Sequence, residues 1–355
     1  MNKYNRIRVE PISGAIGAEF AYFYNTMGVD VTLVEYQKTI VPVEDEDISK
    51  QLQRSFKKSG IKVMTGSSVE KVDSSGKQCI VSVKTAKGEE KIECDVVLSA
   101  VGIQANIENI GLEDVGIVVD KGRILVNDFY QTNMPGYYAI GDVVPGPALA
   151  HVASAEGIVC VEKIAGHHPE PIDYGNIPGC TYCSPEIASV GMTEKAAKEA
   201  GIDLKIGKFP FSASGKASAA GAKEGFVKLL FDAKYGELLG AHMIGANVTE
   251  MIAEIVAIRN ACKKLGNFFL KECDLYTSCE PCPMCLSAIY WSHVDNVFYA
   301  NTRMDAADID FDDSLIYSEI SKDIDKRKIK MKQMNRDEAL KAFKIWQNKE
   351  DKIKY

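Results

Sequence analysis

The spacing of apolar residues divides the chain into stretches of different period. Ser13-Gly14-Ala15-Ile16-Gly17 opens a helical pattern through Phe20, Tyr22 and Phe23 that stops at Met27-Gly28. The β-branched run Val31-Thr32-Leu33-Val34 then closes on Glu35, 18 residues after Gly17. A glycine turn, a helix, a strand and a terminal acid read as a βαβ unit of the dinucleotide-binding kind. The glycines let backbone approach a pyrophosphate at a helix N-terminus, and the acid can accept a ribose hydroxyl. One position departs from the Gly-x-Gly-x-x-Gly fingerprint: its first glycine is Ile12, preceded by Pro11. A Cβ crowds that turn, and proline cannot donate within a central strand. On these residues alone, a glycine-rich turn without a ligand stays open.

Beyond this unit the period shortens. Ile61–Met64, Ser68–Val72, Ile80–Lys84 and Ile92–Ala100 predict strands, separated by Ser74-Ser75-Gly76 and Lys87-Gly88. Ala150–Gly166 predicts a helix with Ala153, Val159 and Ile164 as apolar positions. Strands are predicted near Ile187–Val190, Phe226–Phe231 and Leu238–Ile244, followed by a helix over Ile255–Leu265. The last hundred residues predict a short strand at Leu275–Thr277, a helix over Leu286–Trp291, a strand at Asn296–Ala300 and charged helix over Ile320–Trp346. No repeat, low-complexity tract or Gly/Ser/Pro linker interrupts the chain.

With 355 residues the chain is too long for one ordinary domain. Its 46% hydrophobic and 26% charged residues suit a globular core. The 42 basic and 49 acidic residues leave a net charge of −7, which argues against a general nucleic-acid surface. The longest apolar run, around Val96–Ile103, is far short of the roughly 18 residues of a membrane span. Residues 1–10 lack the apolar core of a signal peptide. Five of the ten cysteines fall between Cys262 and Cys285, unlike a secreted disulfide framework, so a reducing cytoplasm is expected.

Longer stretches carry two family resemblances. SGAIGAEFAYFYNTMGVDVTLVEY, VEDEDISKQLQRSFKKSGIKV, VVLSAVGIQAN, GYYAIGDVVPGPALAHVASAEG and CSPEIASVGMTE together resemble dihydrolipoyl dehydrogenase, a flavin-dependent pyridine nucleotide–disulfide oxidoreductase, over about residues 13–255. The resemblance implies that Gly14, Gly17 and Glu35 lie in an NAD site lined by Gly102. It implies that Asp142, in the AIGD motif with Gly141, meets the ribityl and phosphate part of FAD, and that Ala150 and His151 lie beside the flavin ring. The part from about residue 173 would be a dimerisation domain, so a homodimer is expected. The family's N-terminal flavin domain with its redox-active cysteine pair, and its catalytic His-x-x-x-x-Glu element, find no counterpart in these residues. Cys180-Thr181-Tyr182-Cys183 precedes a predicted strand instead of opening a helix, which points to a structural role.

TSCEPCPMCLSAIYW and DAADIDFDDSLIY resemble the zinc-dependent guanine deaminases of the cytidine deaminase superfamily. A Pro-Cys-x-x-Cys turn offers two thiolates to zinc at about 2.3 Å, and the superfamily pairs it with an upstream His-x-Glu. The upstream triplet here is Ile252-Ala253-Glu254, 28 residues before Cys282. By resemblance, Cys282 and Cys285 ligate zinc, with the third ligand lost at Ile252, and Glu254 shuttles protons. Asp313 assists that transfer, Trp291 stacks on the purine and Tyr355 reaches into a partner's site. Ile244–Ile255 reads as dehydrogenase and Ala253–Arg259 as deaminase, and the shared Ala-Glu-Ile-Val marks a crossover between two parents.

The expected fold is α/β in successive parts. These are a foreign leader (1–11), a Rossmann-like NAD-binding domain (12–106), a remnant of an FAD-binding domain (107–172), a truncated α+β dimerisation domain (173–255) and a partial deaminase-like α/β segment (256–355). The expected function is that of an NAD-linked flavoprotein disulfide oxidoreductase fragment, inactive toward dihydrolipoamide as it stands. A purine deaminase with an incomplete zinc site and a non-catalytic joined product are the alternatives. Small-molecule ligands, no nucleic acid and no membrane complete the expectation.

Overall fold

A computed structural model describes residues 6–10, 14–234, 237–265, 270, 272–281, 286, 289–290, 293–308, 314–323, 326–328, 336 and 340. Two compact units divide the chain, Met1–Asn267 and Phe268–Tyr355.

The first unit is mixed α/β. Its parallel sheet has the order β3-β2-β1-β7, with β1 at Arg6–Glu10, β2 at Asp30–Val34, β3 at Lys62–Met64 and β7 at Val96–Ser99. The residues set apart as a foreign leader therefore supply the strand that pairs with both β2 and β7. Helix α1 (Ala15–Thr26) crosses from β1 to β2 and buries Gly17, Ala18 and Ala21. That narrow strip of small residues lets a helix lie close to a sheet. Its other side leaves Ile16, Phe20, Phe23 and Met27 exposed at helical spacing.

Helix α2 (Glu46–Lys58) is amphipathic in the ordinary sense: Ile48, Leu52 and Phe56, four residues apart, are fully buried. Each is worth about 1.5–3 kcal/mol of transfer from water. Asp45 caps the helix by accepting from the Asp47 backbone N–H at 3.1 Å, with Glu46 and Asp47 in the first turn and Lys57 and Lys58 in the last. An antiparallel meander of β4 (Ser68–Asp73), β5 (Cys79–Thr85) and β6 (Gly88–Cys94) follows. The sequence predicts one strand over Ile92–Ala100; the chain instead breaks at Asp95, so β6 stays in the meander and β7 enters the parallel sheet. Val34, Val81, Val83 and Cys94 form the core between these layers.

A small hairpin of β8 (Val119–Asp120) and β9 (Arg123–Ile124) and the helix α3 (Ala150–Ile164) come next. The five-stranded antiparallel sheet has the order β10-β11-β14-β13-β12, with β10 at Gly179–Thr181, β11 at Glu186–Gly191, β12 at Leu204–Pro210, β13 at Phe226–Asp232 and β14 at Leu238–Gly245. The short helices α4 (Glu194–Glu199) and α5 (Gly215–Ala219) lie between strands. At Gly225, with φ +101°, a Cβ would collide with the Ile244 carbonyl, so only glycine lets β13 start there. Helix α6 (Val248–Leu265) packs on β11 and β14 and runs unbroken past residue 255, earlier than the helix predicted from Ile255. One core joins the two sheets: Val31, Leu33, Leu52 and Phe56 cluster with Ile187, Phe226 and Ile244.

A buried ion cluster reinforces that join. Lys228, 2% exposed, donates to Asp45 Oδ1 at 2.7 Å, Glu194 Oε2 at 2.7 Å and Asp47 Oδ2 at 3.2 Å. Asp45 Oδ2 also accepts from the Glu194 backbone N–H at 3.1 Å, tying the start of α2 to the start of α4.

In the second unit β15 (Asp274–Cys279) and β16 (Asn296–Asn301) pair in parallel, and α7 (Arg303–Ala307) and α8 (Ser314–Ile320) follow. Where the sequence predicts helix from Ile320, α8 ends at Ile320 and Ser321–Asp323 is non-helical; most of the remaining predicted helix lies outside the described residues.

Candidate functional site

Three of the predicted nucleotide residues come together at the carboxyl end of the parallel sheet. Gly14 follows β1 and is the N-cap of α1, Glu35 follows β2, and Gly102 follows β7 with φ +111°. Because β2 and β7 flank β1, this is the place where strand order reverses, and open α/β sheets bind ligands there. Gly14 provides no side-chain cap and the first turn of α1 carries no acid, so its N–H groups face outward for an anion. Gly17, on the buried strip of α1, serves the close approach of helix and sheet. Ile12 and Pro11, where the fingerprint departs, lie outside the described residues.

Glu35 is 3% exposed. Burial pushes its carboxyl above the usual range, while the backbone N–H groups of Gln37 and Tyr36 act in the other direction. Gln37 N–H donates to Oε1 at 2.6 Å, which fixes the carboxyl as an acceptor at the strand end. Exposed Val101 and Ile103 flank Gly102 and give the mouth apolar walls.

The predicted flavin residues sit on a second surface. Gly141 opens a single 3₁₀ turn, Gly141–Val143, at φ +74°, and the Asp142 side chain is exposed. Ala150 and His151 start α3, also exposed, and Leu149 at the N-cap offers no side-chain cap. The chemistry of this donor set fits one wall of an anionic, planar cofactor: a helix N-terminus, a short acid and apolar neighbours. Along α3, Ile158, Val161 and Ile164 are exposed in turn.

Beneath this wall lies a buried network that the sequence reading missed. Glu156, 1% exposed, accepts the Gly141 N–H on Oε2 at 2.6 Å and the Tyr174 hydroxyl on Oε1 at 2.6 Å, and Tyr130 meets the Tyr174 hydroxyl at 3.1 Å. Burial and the Glu156 carboxylate push the Tyr174 phenol far up. The signal was available: Val152, Glu156 and Cys160 are four apart, placing an acid in an apolar helical stripe. Glu44 was also missed. Burial raises its carboxyl to about 7 against a partial offset from the Ser189 hydroxyl, and its Oε2 has no hydrogen-bond partner among the described residues.

Cys180 lies in β10, and Cys183 is 4% exposed with its thiol pushed up to about 12 by burial. Such thiols stay protonated at neutral pH, which fits the structural role expected of this pair.

The predicted deaminase residues are not brought together within what is described. Cys282, Cys285, Trp291, Asp313 and Tyr355 lie outside the described residues, and Glu254 is placed only as part of the α6 backbone. Among the described residues no group of three or more His, Cys, Asp or Glu side chains could hold a metal ion. Ile252, where the resemblance places the lost third ligand, is 4% exposed and clusters with Ala188, Val190, Ala241, Met243 and Val248 against the antiparallel sheet. Just before Cys282 the chain is held within its own unit: Tyr317 hydroxyl donates to the Pro281 carbonyl at 2.7 Å, and the Arg303 N–H to Glu280 Oε2 at 3.0 Å. Among the described residues no helix is long and apolar enough to cross a membrane.

Comparison with known proteins agrees with this architecture. Residues 13–157 match the pyridine nucleotide-disulphide oxidoreductase family, residues 177–270 its dimerisation domain, and residues 241–348 the MafB19-like deaminase family. A dihydrolipoyl dehydrogenase of Rhizobium etli is 51% identical over 250 residues, which are 70% of this chain and 52% of the relative. A Bacillus subtilis dihydrolipoyl dehydrogenase is 46% identical over 243 residues, 68% of this chain and 51% of the relative. The chain thus spans about half the length of these curated relatives. Among solved structures, LpdA of Mycobacterium tuberculosis aligns with TM-score 0.67 and 26% identity, covering 73% of this chain and 56% of that one. The flavoprotein disulfide reductase RclA of Escherichia coli aligns with TM-score 0.67 and 25% identity, over 73% and 59%. The C-terminal match is to a deaminase family by that name, without the guanine specificity that the sequence resemblance carried. Residues 13–270 therefore carry the Rossmann-like fold and the dimerisation domain of the pyridine nucleotide–disulphide oxidoreductases, continuous with a MafB19-like deaminase segment over residues 241–348.

Proposed function

We propose that the first unit is the NAD-binding and dimerisation portion of a flavoprotein disulfide oxidoreductase of the dihydrolipoyl dehydrogenase type. We propose further that these 355 residues bind NAD without oxidising dihydrolipoamide. The observation that carries this reading is the convergence of the open α1 N-terminus, the buried Glu35 and Gly102 at one strand-order reversal. The α1 N–H groups take the pyrophosphate, and the Glu35 carboxylate accepts the ribose 2′-hydroxyl. A 2′-phosphate would meet that carboxylate at a buried position, so NAD is favoured over NADP. FAD, when bound, supplies a two-electron relay between nicotinamide and a disulfide. On this chain Asp142, Gly141, Ala150 and His151 would hold it, the acid and backbone N–H groups facing its ribityl and phosphate part. The dithiol and base for lipoamide exchange are not met by Cys180 and Cys183, whose thiols burial keeps protonated. The dimerisation sheet pairs two copies, in a cytoplasmic setting.

Calorimetric titration with NAD and NADP tests this. The native chain should bind NAD more tightly than NADP, and Glu35→Ala should remove most of the difference. Equal affinity for the two nucleotides in the native chain would overturn the assignment. Gel filtration followed by an absorbance spectrum should show no stoichiometric flavin, since one wall of a mostly buried site retains little affinity.

A second reading rests on the match over residues 241–348 and on the parallel β15–β16 pair, whose crossover contains Cys282 and Cys285. We infer a zinc-dependent purine deaminase segment with guanine as the substrate class. Its roles are the ones the resemblance implies: Cys282 and Cys285 as zinc ligands, Glu254 and Asp313 as proton carriers, Trp291 and Tyr355 toward the base. Two thiolates fall one ligand short of a catalytic site. Zinc after dialysis should be sub-stoichiometric, with no ammonia released from guanine; ammonia release would refute the incompleteness of the site.

A further inference from the structure

Cys79 and Cys94 stand at the open end of the β5–β6 hairpin. They are direct cross-strand partners, in unbroken register with Val81 and Ile92, Val83 and Glu90, and Thr85 and Gly88. Side chains alternate faces along a strand, so Cys79, Val81 and Val83 share the inward face of β5, and Ile92 and Cys94 that of β6. The same five residues lie in or against one apolar cluster, together with Val34, Met64, Val69 and Val97. Both sulfurs are thus on one face, at opposed positions. Opposed residues of an antiparallel pair have Cβ atoms about 4.5–5.5 Å apart, within a small adjustment of the roughly 3.5–4.5 Å of a disulfide. The register is clasped next door, where Gln78 Nε2 donates to Asp95 Oδ1 at 3.2 Å, so the two strand ends are held side by side. The cysteines differ in access: Cys79 is partly exposed, while Cys94 is 3% exposed.

We propose that Cys79 and Cys94 form a redox-responsive dithiol–disulfide pair whose oxidant is a low-molecular-weight disulfide such as oxidised glutathione. The accessible Cys79 thiolate attacks one sulfur of the small disulfide, forming a mixed disulfide and releasing one thiol. The Cys94 sulfur then attacks the Cys79 sulfur, forms the Cys79–Cys94 bond and releases the second thiol. Two protein thiols lose two electrons and two protons, and one small disulfide becomes two small thiols, so the exchange balances. The pair is separate from the Cys180–Cys183 pair, which lies in and just after β10 of the antiparallel sheet. Closing the bond fixes the hairpin against the core that backs Val34 of β2 and Val97 of β7, the two strands beside the candidate nucleotide site. The inference does not depend on what that site binds.

The test exposes the full chain to oxidised glutathione at mildly alkaline pH, alkylates the remaining thiols, digests the protein and identifies the peptides by mass spectrometry. The expected product is the Cys79 peptide joined to the Cys94 peptide, with both alkylation signals lost together and both restored by dithiothreitol. In Cys94→Ala the reaction should stop at glutathione on Cys79; in Cys79→Ser, Cys94 should remain alkylatable after denaturation. The midpoint of thermal unfolding of the oxidised native chain should rise by several degrees, and this rise should be absent in Cys79→Ser. A stable glutathione adduct on Cys79 of the native chain, a bond from either residue to another cysteine, or a lowered midpoint after oxidation would each overturn the proposal.

Discussion

Replacing Lys228 with methionine removes the cation from the cluster that joins α2, α4 and β13. The unbranched side chain is only one atom shorter, so the change is mainly one of charge. Three carboxylates lose their common donor, and Asp45, 1% exposed, retains only the backbone N–H groups of Asp47 and Glu194. Removing one partner of a buried pair costs about 3–5 kcal/mol, because the remaining charge stays desolvated. The Lys50–Glu46 pair on the outside of α2, 52% and 69% exposed, is solvated and contributes little. At about 2–4 °C per kcal/mol for a unit of this size, Lys228→Met should lower the unfolding midpoint by about 6–20 °C, and Lys50→Met by far less. Differential scanning calorimetry measures both. Hydrogen exchange should locate the loss at the first turns of α2 and α4. The pH dependence has a definite sign. Burial disfavours the Asp45 and Asp47 carboxylates, but Lys228, with Lys208 at Asp47, outweighs it and holds them below the ordinary range. Lys198 and Lys228 lower Glu194 in the same way. Groups lowered in the fold stabilise it above their unfolded values near pH 4, and that stability is lost as pH falls through the folded values. Lys228 itself is raised, so its contribution is complete at neutral pH and lost only at strongly alkaline pH. The native chain should therefore lose stability on acidification more steeply than Lys228→Met. A variant within about 1 °C of the native midpoint, with the same acid limb, would refute the assignment of the cluster as the join between the sheets.

Glu44 works in the opposite direction: its folded value, about 7, lies above its unfolded one, so its contribution is present at low pH and lost as pH rises through 7. Glu44→Gln should raise stability above neutrality by about 2–4 kcal/mol and change little below pH 4, as thermal midpoints across pH will show. Glu156→Ala deletes the acceptor of the Gly141 N–H and the Tyr174 hydroxyl and should cost about 3–5 kcal/mol, whereas Glu156→Gln keeps one acceptor and should cost less; denaturant unfolding separates the two. Ile252→His introduces an imidazole into an apolar core and should destabilise the first unit by about 2–5 kcal/mol, measured by calorimetry.

The elements with a strict period were legible in the sequence. The α1–β2 unit, the meander strands and the β13–β14 pair appear close to where their patterns put them. Strand β1 was not legible, because Pro11 and Ile12 argue against a fingerprint strand and Arg6–Glu10 alternates charge with apolar residues. Its place comes from pairing with β2 and β7, a long-range contact that no local pattern encodes. Helix α2 was passed over because ten of its thirteen residues are polar or charged beside the buried Ile48, Leu52 and Phe56. Of the candidate site, Gly14, Glu35 and Gly102 were readable as turn and strand-end residues. The supporting acids were not: Glu156 and Glu44 owe their character to burial, which depends on what folds over them. The burial of Ile252 likewise comes from packing against the antiparallel sheet, which no spacing argument reveals.

The uncovered stripes on α1 and α3 bear on how the protein behaves as a material. Ile16, Phe20, Phe23 and Met27 on one helix and Ile158, Val161 and Ile164 on the other present sticky rows that water solvates poorly. Encounters between two such molecules scale with the square of concentration, whereas folding of each does not. A dilute preparation should then persist while a concentrated one clouds, with no change in the fold of any single copy. Exposed apolar rows of this kind are what holdase chaperones recognise.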